Sequence, residues 1–502
     1  MESVNSGMVR GAGWSLLLRA IDRGVGLVST VVLARLLVPA DFGVVALAAS
    51  LIDLAGLLGA FGLELSLIQN PAADRRHFDT VWTCNALFGL GLAAVLVLLA
   101  PLAAHYCSEP RLAPVIIGLA GARAIAGFQN VGLVLFQRDL AFDRDFKFRL
   151  YKRLATTFVA TLPLAFVLRS QWALVGGAIA GNCIGLVLSY GMQPYRPRWS
   201  LVAWRELFAV SRWLQFAQLL RVVSERGSHF IIARFAGLSA LGSFAMAKEI
   251  AQLPSGELTT AVHAGVFPGY AKIFQDRALL KQTYLRVTAI LFLVTMPAGV
   301  ALALLAQPVV AVTLGNHWLA VVPLLQILAL NYVLSVFSRS TGYVYIALGD
   351  TRRNASQAAL HAAVSLSIML LLVPALGVVG AALALLAGTL AVAPVNFRML
   401  GQALGVTLPE LLAIAWRPLL ATMVMALILV WLGGQAASPQ GLGANALHLA
   451  WAAAVGLVAY VGALALLWRM ASRPDGAESL VLARMKILAS AAAARLKSWF
   501  TD

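Results

Sequence analysis

Long apolar stretches separated by short polar ones follow one another along the whole chain. A helix needs about 20 mostly apolar residues to cross the hydrocarbon core of a bilayer. Fourteen stretches fit this requirement, so the pattern predicts an all-α polytopic membrane protein with about 14 transmembrane helices. The predicted spans are 13–37, 42–69, 79–104, 112–137, 149–168, 172–193, 207–236, 240–264, 284–306, 320–348, 357–374, 376–397, 412–433 and 446–470.

An internal repeat divides this series of spans. The segments LARLLVPADFGVVALA (33–48) and IARFAGLSALGSFAMA (232–247) align without gaps, and each lies at the start of a block of six spans. Because six is even, the two blocks have the same orientation, which is a parallel repeat of the kind found in transporters. We therefore expect an N-terminal six-helix bundle (1–200) and a C-terminal one (201–400). Helices 13 and 14 (401–471) and a cytoplasmic amphipathic tail (472–502) complete the expected organisation.

Composition and charge support a membrane location. The chain is 61% hydrophobic and 12% charged, with a net charge of +17, whereas soluble domains are about 25% charged. Arginine and lysine are concentrated in alternate loops, and the positive-inside rule then places both termini in the cytoplasm of a bacterial inner-membrane protein. The positive charge is assigned to membrane lipids rather than to nucleic acid. The three cysteines are not in CxxC spacing, so no disulfide framework, metal site or cofactor is expected.

Several predicted spans contain charges, which are costly in lipid and should face a partner or a cavity. Clustered cations suit a diphosphate, because arginine and lysine form charge-assisted hydrogen bonds to phosphate oxygens. We favour this substrate-binding role for four residues and leave it open, against snorkelling or helix-to-helix ion pairs, for three others. The favoured set is Arg23, Arg221, Arg226 and Lys248, and the second set is Arg19, Arg123 and Arg339.

Three acidic residues accompany these cations. Asp22, Glu225 and Glu249 are candidates for coupling transport to H⁺ or Na⁺, with plain charge compensation as the alternative. No catalytic motif is present in the sequence. The largest inner loop is also too short to form a soluble catalytic domain, so we expect a transporter and not an enzyme.

The order of several motifs resembles the Wzx-like, lipopolysaccharide-biosynthesis branch of the multidrug/oligosaccharidyl-lipid/polysaccharide exporter superfamily. The resemblance extends from about residue 10 to 400. The segments that carry it include LARLLVPADFG (33–43), FQRDLAFDRDF (136–146), YRPRWS (195–200), VFPGYAKIFQD (266–276) and GVVGAALA (377–384).

The resemblance implies a V-shaped exporter fold of two six-helix bundles plus two extra helices. It also implies alternating-access export of polyprenyl-diphosphate-linked oligosaccharide repeat units from the inner to the outer leaflet, for exopolysaccharide, capsule or O-antigen synthesis. The cavity cations of such flippases would correspond to Arg23, Arg221, Arg226 and Lys248 by span and depth. We expect a monomer, and the candidate protein partner is the polysaccharide polymerase machinery. The alternatives are a peptidoglycan lipid-precursor flippase, a multidrug-type antiporter and a membrane polymerase of lipid-linked sugars.

Overall fold

A computed structural model describes residues 21–56, 73–139, 141–204, 225–435 and 441–471, together with Leu18, Leu63, Leu67 and Val222. Every regular element within these ranges is helical. The predicted tail helix within 476–500 and the candidates Arg19 and Arg221 lie outside the described residues.

The helices of residues 21–204 overlap the first six predicted spans, of which the fourth, 112–137, is bent by 64° between two helices. A continuous helix through α6, a π-helical stretch (Ala155–Thr161) and α7 corresponds to the fifth span. The helices are α1 (21–36), α2 (Pro39–Gly56), α3 (Arg75–Tyr106), α4 (Leu112–Gly127), α5 (Val134–Arg138), α6 (Phe142–Leu154), α7 (Leu162–Leu168) and α8 (Trp172–Met192).

The remaining helices lie within the region of predicted spans 7 to 14, and most residues of 207–224 in span 7 are outside the described residues. They are α9 (225–236), α10 (Leu238–Ala251), α11 (Leu258–Ile273), α12 (Arg277–Leu304), α13 (Ala306–Thr313), α14 (Val322–Ala347), α15 (Thr351–Leu376), α16 (Val378–Leu404), α17 (Leu408–Gln435) and α18 (Leu442–Met470). A π-helical turn, Leu253–Glu257, joins α10 to α11. Helix α15 continues through Pro374 and ends at Gly377, whose φ of +59° is a conformation that favours glycine.

Nine helices of the described part of the chain are long and apolar enough to cross a membrane. A tenth candidate is the pair Leu112–Gly127 and Val131–Arg138, bent by 64° at the break between them. The chain is therefore an all-helical, multi-pass membrane protein. The full number of fourteen spans, the domain boundaries and the repeat remain predictions.

The break in the fourth predicted span has a local cause in Asn130. Its side-chain oxygen accepts a hydrogen bond from the Gly132 N–H (2.9 Å), and its amide donates to the Tyr195 carbonyl (2.7 Å). Its own backbone N–H donates to Ser189 Oγ (3.1 Å). Because Asn130 is buried and engaged in all three directions, it stabilises an extended residue where the apolar pattern alone predicts continuous helix.

The starts of α2 and α3 are determined by residues that favour helix N-termini. Asp74 forms a capping box with His77 at the start of α3. Hydrogen bonding from His77, assisted by Arg76, lowers the pKa of Asp74 to about 2. Pro39 occupies the first position of α2, where a missing N–H has no cost, and Asp41 Oδ2 accepts from the Val38 N–H at 3.2 Å. The LVPAD part of the repeated motif thus encodes a helix start.

The described residues form two compact units. The first comprises those of 1–245 with 373–378, and the second those of 246–372 with 379–471. In the second unit, α17 and α18 pack on α12, where Tyr460 Oη donates to the Leu293 carbonyl at 2.6 Å. In the first unit, α1, α2 and α7 share an apolar core that includes Leu33, Leu37 and Ala165.

Candidate functional site

Helices α1 and α6 carry the first group of charges inside the first unit. Asp22 Oδ1 on α1 forms an ion pair with Arg153 Nε on α6 at 3.0 Å. Gly26 lies one turn after Asp22 on the same helix. An ideal Cβ built on Gly26 would lie 3.0 Å from Arg153 Nη2, so the guanidinium group packs against the backbone of this glycine. This contact favours charge compensation over ion coupling for Asp22. Arg23, the next residue on α1, is half-buried.

Two polar pairs connect α2 to α9 within the same unit. Arg226 Nη2 forms an ion pair with Asp53 Oδ2 at 2.7 Å, and Ser50 Oγ lies 2.6 Å from His229 Nδ1. The two partners on each helix are three residues apart, so the pairs lie on adjacent turns and the helices run antiparallel. We call Asp53–Arg226 and Ser50–His229 the α2–α9 polar pairs.

The environment of these pairs changes along the helix. Ser50 and His229 are buried, and the ring of Phe244 contacts His229 edge-on at 6.4 Å between centroids. The side chains of Arg226 and Asp53 are 34% and 43% exposed, respectively. Asp53 lies fourteen residues into α2, about 21 Å along the axis from its first residue, and α2 is long and apolar enough to cross a membrane. A partly accessible arginine therefore lies beside the carboxylate of a candidate membrane-spanning helix.

The start of α2 contacts the start of α10 with no side chain between them. An ideal Cβ on Gly43 would lie 1.8 Å from the Leu238 carbonyl oxygen, and one on Gly242 would lie 1.8 Å from the Pro39 carbonyl oxygen. Both contacts are reciprocal, because 39 and 238, like 43 and 242, are equivalent positions of the repeated motif. Only glycine permits this approach of two backbones.

The other predicted site residues occupy separate places. In the first unit, Arg123 is exposed on α4, and Glu225 is exposed at the start of α9, where its carbonyl accepts from Ser228 Oγ. In the second unit, Lys248 and Glu249 are half-buried on α10, and Glu249 Oε2 accepts from Gln252 Nε2 at 3.0 Å. Their role in binding or coupling remains a prediction.

Arg339 on α14 lies over the ring of Tyr332, with 5.4 Å from its guanidinium carbon to the ring centroid. A cation–π contact of this kind holds the side chain against its own helix. It favours the structural interpretation of Arg339 that the sequence left open.

Sequence reasoning missed two participants in these clusters. Arg153 is one of the cations near the inner end of the fifth predicted span and is not among the predicted site residues, yet it reaches α1 to pair with Asp22. Its signal was the acid in span 1, which required a cation from another helix. Ser50 is a small polar residue in an apolar stretch. Its hydrogen bond to His229, 179 positions away, cannot be predicted from the local sequence pattern.

Comparison with known proteins identifies relatives of this chain. The profile of a family described as "Polysaccharide biosynthesis protein" matches residues 32–323. The chain is 25% identical over 348 residues to the lipopolysaccharide biosynthesis protein WzxC of Escherichia coli (strain K12), covering 69% of this chain and 71% of that one. It is 25% identical over 329 residues to the succinoglycan biosynthesis transport protein ExoT of Rhizobium meliloti (strain 1021), covering 64% and 66%.

Among solved structures, the lipid II flippase MurJ in an inward closed conformation is similar with a TM-score of 0.71. The match covers 92% of this chain and 99% of that one, at 12% sequence identity. At this identity the likeness shows a shared fold.

Proposed function

Because the chain belongs to the polysaccharide biosynthesis protein family, among the Wzx-like exporters of the multidrug/oligosaccharidyl-lipid/polysaccharide superfamily, we propose that it is a flippase for lipid-linked oligosaccharides. Its substrate would be a polyprenyl-diphosphate-linked repeat unit, carried from the inner to the outer leaflet of the cytoplasmic membrane. The product would supply the synthesis of exopolysaccharide, capsule or O-antigen. The single observation that carries the proposal is the family match over residues 32–323.

The chemistry of the first unit supports an anionic substrate. Arg23 and Arg226 are partly accessible within membrane-spanning segments, where an exposed charge is retained only for a partner or a function. A diphosphate offers several oxygens that can accept hydrogen bonds from the guanidinium group of Arg226. A cationic drug would be repelled by the same group. The alternative of a small-molecule cation antiporter is therefore less favoured.

Alternating access would move this region between the two faces of the membrane. The α2–α9 polar pairs and the Gly43–Gly242 contact connect elements of the two predicted repeats. We propose that these contacts close one side of the transport path and separate when the other side closes. The coupling ion would be H⁺ or Na⁺, with Asp22, Glu225 and Glu249 as the candidate residues, and the alternative is a cycle without ion coupling.

Deletion of the gene in its host tests the proposal. We expect loss of surface polymer and accumulation of complete lipid-linked repeat units whose sugars are accessible only from the inner face. Complementation with the wild-type gene should restore the polymer. Unchanged polymer with new drug sensitivity would instead indicate an antiporter, and outward-facing repeat units without polymer would indicate a polymerase.

A further inference from the structure

The segment 193–204, which follows α8 and includes the YRPRWS motif, is fixed along the first turns of α3. The Arg198 N–H donates to Asp79 Oδ1 at 2.8 Å, and the Ser200 N–H donates to Thr83 Oγ1 at 3.0 Å. The Ala203 N–H follows with a 3.3 Å bond to Thr80 Oγ1. Buried side chains of one helix thus satisfy the backbone of an extended segment, as a neighbouring strand would in a sheet.

The beginning of the segment is fixed as firmly. Tyr195 Oη donates to the Asp79 carboxylate, and Gln193 Nε2 donates to the Gly132 carbonyl at 2.8 Å. Arg75 Nη2 reaches the Arg196 carbonyl at 3.2 Å. A segment with so many backbone contacts presents its outward side chains in a fixed arrangement.

The outward face of the segment combines cations with large apolar groups. Trp199, Val202 and Trp204 are 60%, 73% and 48% exposed. The ring of Trp199 also packs edge-on against Trp82 of α3, with 5.0 Å between the centroids, which fixes its position at the surface. The side chains of Arg196 and Arg198 are exposed in the same segment. Arg76 is exposed in the first turn of α3, where its Nε also pairs with Asp74 Oδ2 at 2.9 Å. Soluble surfaces rarely place exposed tryptophans and arginines side by side in this way without a partner.

The depth of the segment in the membrane identifies the surroundings of this face. Helix α3 has 32 residues and is about 48 Å long, whereas the hydrocarbon core is about 30 Å thick. Its first turns are polar and contain Arg75, Arg76 and Asp79, so this end of α3 extends into the headgroup region. Tryptophan is enriched at this depth, and arginine binds phosphate there.

We propose that the exposed face of 193–204 is a binding surface for anionic phospholipid headgroups. Arg198 and Arg76 contact the lipid phosphates, while Trp199 and Trp204 enter the boundary between headgroups and acyl chains. The surface fixes this end of the first unit to the leaflet that contains it. The inference does not depend on the proposed transport function.

Fluorescence of Trp199 in the full-length protein tests this surface. The protein is reconstituted in phosphatidylcholine nanodiscs containing a small fraction of brominated phosphatidylglycerol or brominated phosphatidylcholine, and the Trp199→Phe variant is subtracted. We expect the anionic quencher to act at a lower mole fraction than the zwitterionic one, and high salt to reduce the difference. Arg198→Gln should weaken the preference about fivefold and Arg198→Glu about thirtyfold, since each interfacial charge contributes a comparable factor.

Arg198 is suited to this test because its N–H donates to Asp79 and its carbonyl accepts from Thr83 Oγ1, and the substitutions retain both of these backbone groups. The matched control is Arg277→Glu, an exposed arginine at the start of α12. It should leave the quenching of Trp199 unchanged. Equal quenching by the two lipids, or a preference that persists in Arg198→Glu, would overturn the proposal. So would absence of quenching by either lipid, which would indicate a face turned to water or to a protein.

Discussion

The ion pair between Asp53 and Arg226 is the residue-level feature that bears most directly on transport. Both groups are partly exposed, and Asp53 lies on a candidate membrane-spanning helix, so the pair resembles neither a surface salt bridge nor a dry buried one. A substrate phosphate that binds Arg226 must compete with the Asp53 carboxylate. The stability and the transport role of this arginine should therefore be separable.

A double-mutant cycle makes that separation. Asp53→Asn and Arg226→Gln each leave one charge without its partner, and each should lower the free energy of unfolding by about 1–3 kcal/mol. The double variant Asp53→Asn/Arg226→Gln removes both charges and should recover part of that loss. Unfolding in detergent measures stability, and polymer production by complementation measures transport.

The two readouts should disagree in the double variant. Stability returns in part while polymer production stays low, because the guanidinium group proposed to bind the diphosphate is absent. A double variant that restores transport as well would show that Arg226 serves only to neutralise Asp53.

The sequence predicts which charged residues belong to this site, but it does not predict their partners. Arg226, Arg23 and Asp22 were recognisable, because a charge inside an apolar stretch is visible in the pattern. Their partners were not, since Asp22 and Arg153 or Asp53 and Arg226 meet only when distant helices pack. Hydropathy records the face that a residue prefers and carries no information about which helix lies opposite.

At the scale of helices, the contact between Gly43 and Gly242 depends on the absence of two side chains. Gly43→Ala or Gly242→Ala would place a methyl group against a carbonyl oxygen of the opposite helix. We expect each to destabilise the protein by about 1–3 kcal/mol through overpacking. The two losses should be similar in size because the contacts are reciprocal. Thermal unfolding of the purified protein measures them.

The matched control for these variants is Gly91→Ala in α3. No atom lies within 4 Å of the ideal Cβ at Gly91, so the substitution should be neutral or slightly stabilising. If Gly43→Ala behaves as Gly91→Ala does, the helices can move apart at no cost and the contact does not hold them.

The helix boundaries show what periodicity can and cannot provide. The apolar stretch predicted at 79–104 became α3, Arg75–Tyr106, because a polar first turn with a capping box extends the helix beyond its apolar part. The stretch predicted at 112–137 is instead bent by 64°. Its break depends on Asn130 bonding to Tyr195 and Ser189, which are about sixty positions away and invisible to a local pattern.

Asn130→Ala tests that explanation of the break. The Gly132 N–H and the Tyr195 carbonyl would lose buried partners, and the free energy of unfolding should fall by about 2–4 kcal/mol. The control is Asn182→Ala in α8, where the amide bonds only to the Ala178 carbonyl of its own helix. A loss for Asn130→Ala no larger than for this control would show that the bend is set elsewhere. Thermal unfolding of both variants provides the comparison.

At the scale of the whole molecule, we expect the membrane potential to favour export of the proposed substrate. With the inside negative, outward movement of one negative charge is favoured by about 2.3 kcal/mol per 100 mV. A diphosphate that crosses the whole field gains roughly twice that amount. The substrate itself would then couple export to the potential, with no requirement for a separate ion.

Proteoliposomes with an imposed potassium diffusion potential test this drive. The rate at which the sugar of a polyprenyl-diphosphate substrate becomes accessible on the outside should rise as the inside is made more negative. A polyprenyl-monophosphate-linked sugar has one negative charge fewer, so any transport of it should respond about half as strongly to the potential. A flip rate that is the same at every potential and changes only with a proton or sodium gradient would transfer the driving role to an ion. Glu225 and Glu249 would then be the first residues to replace.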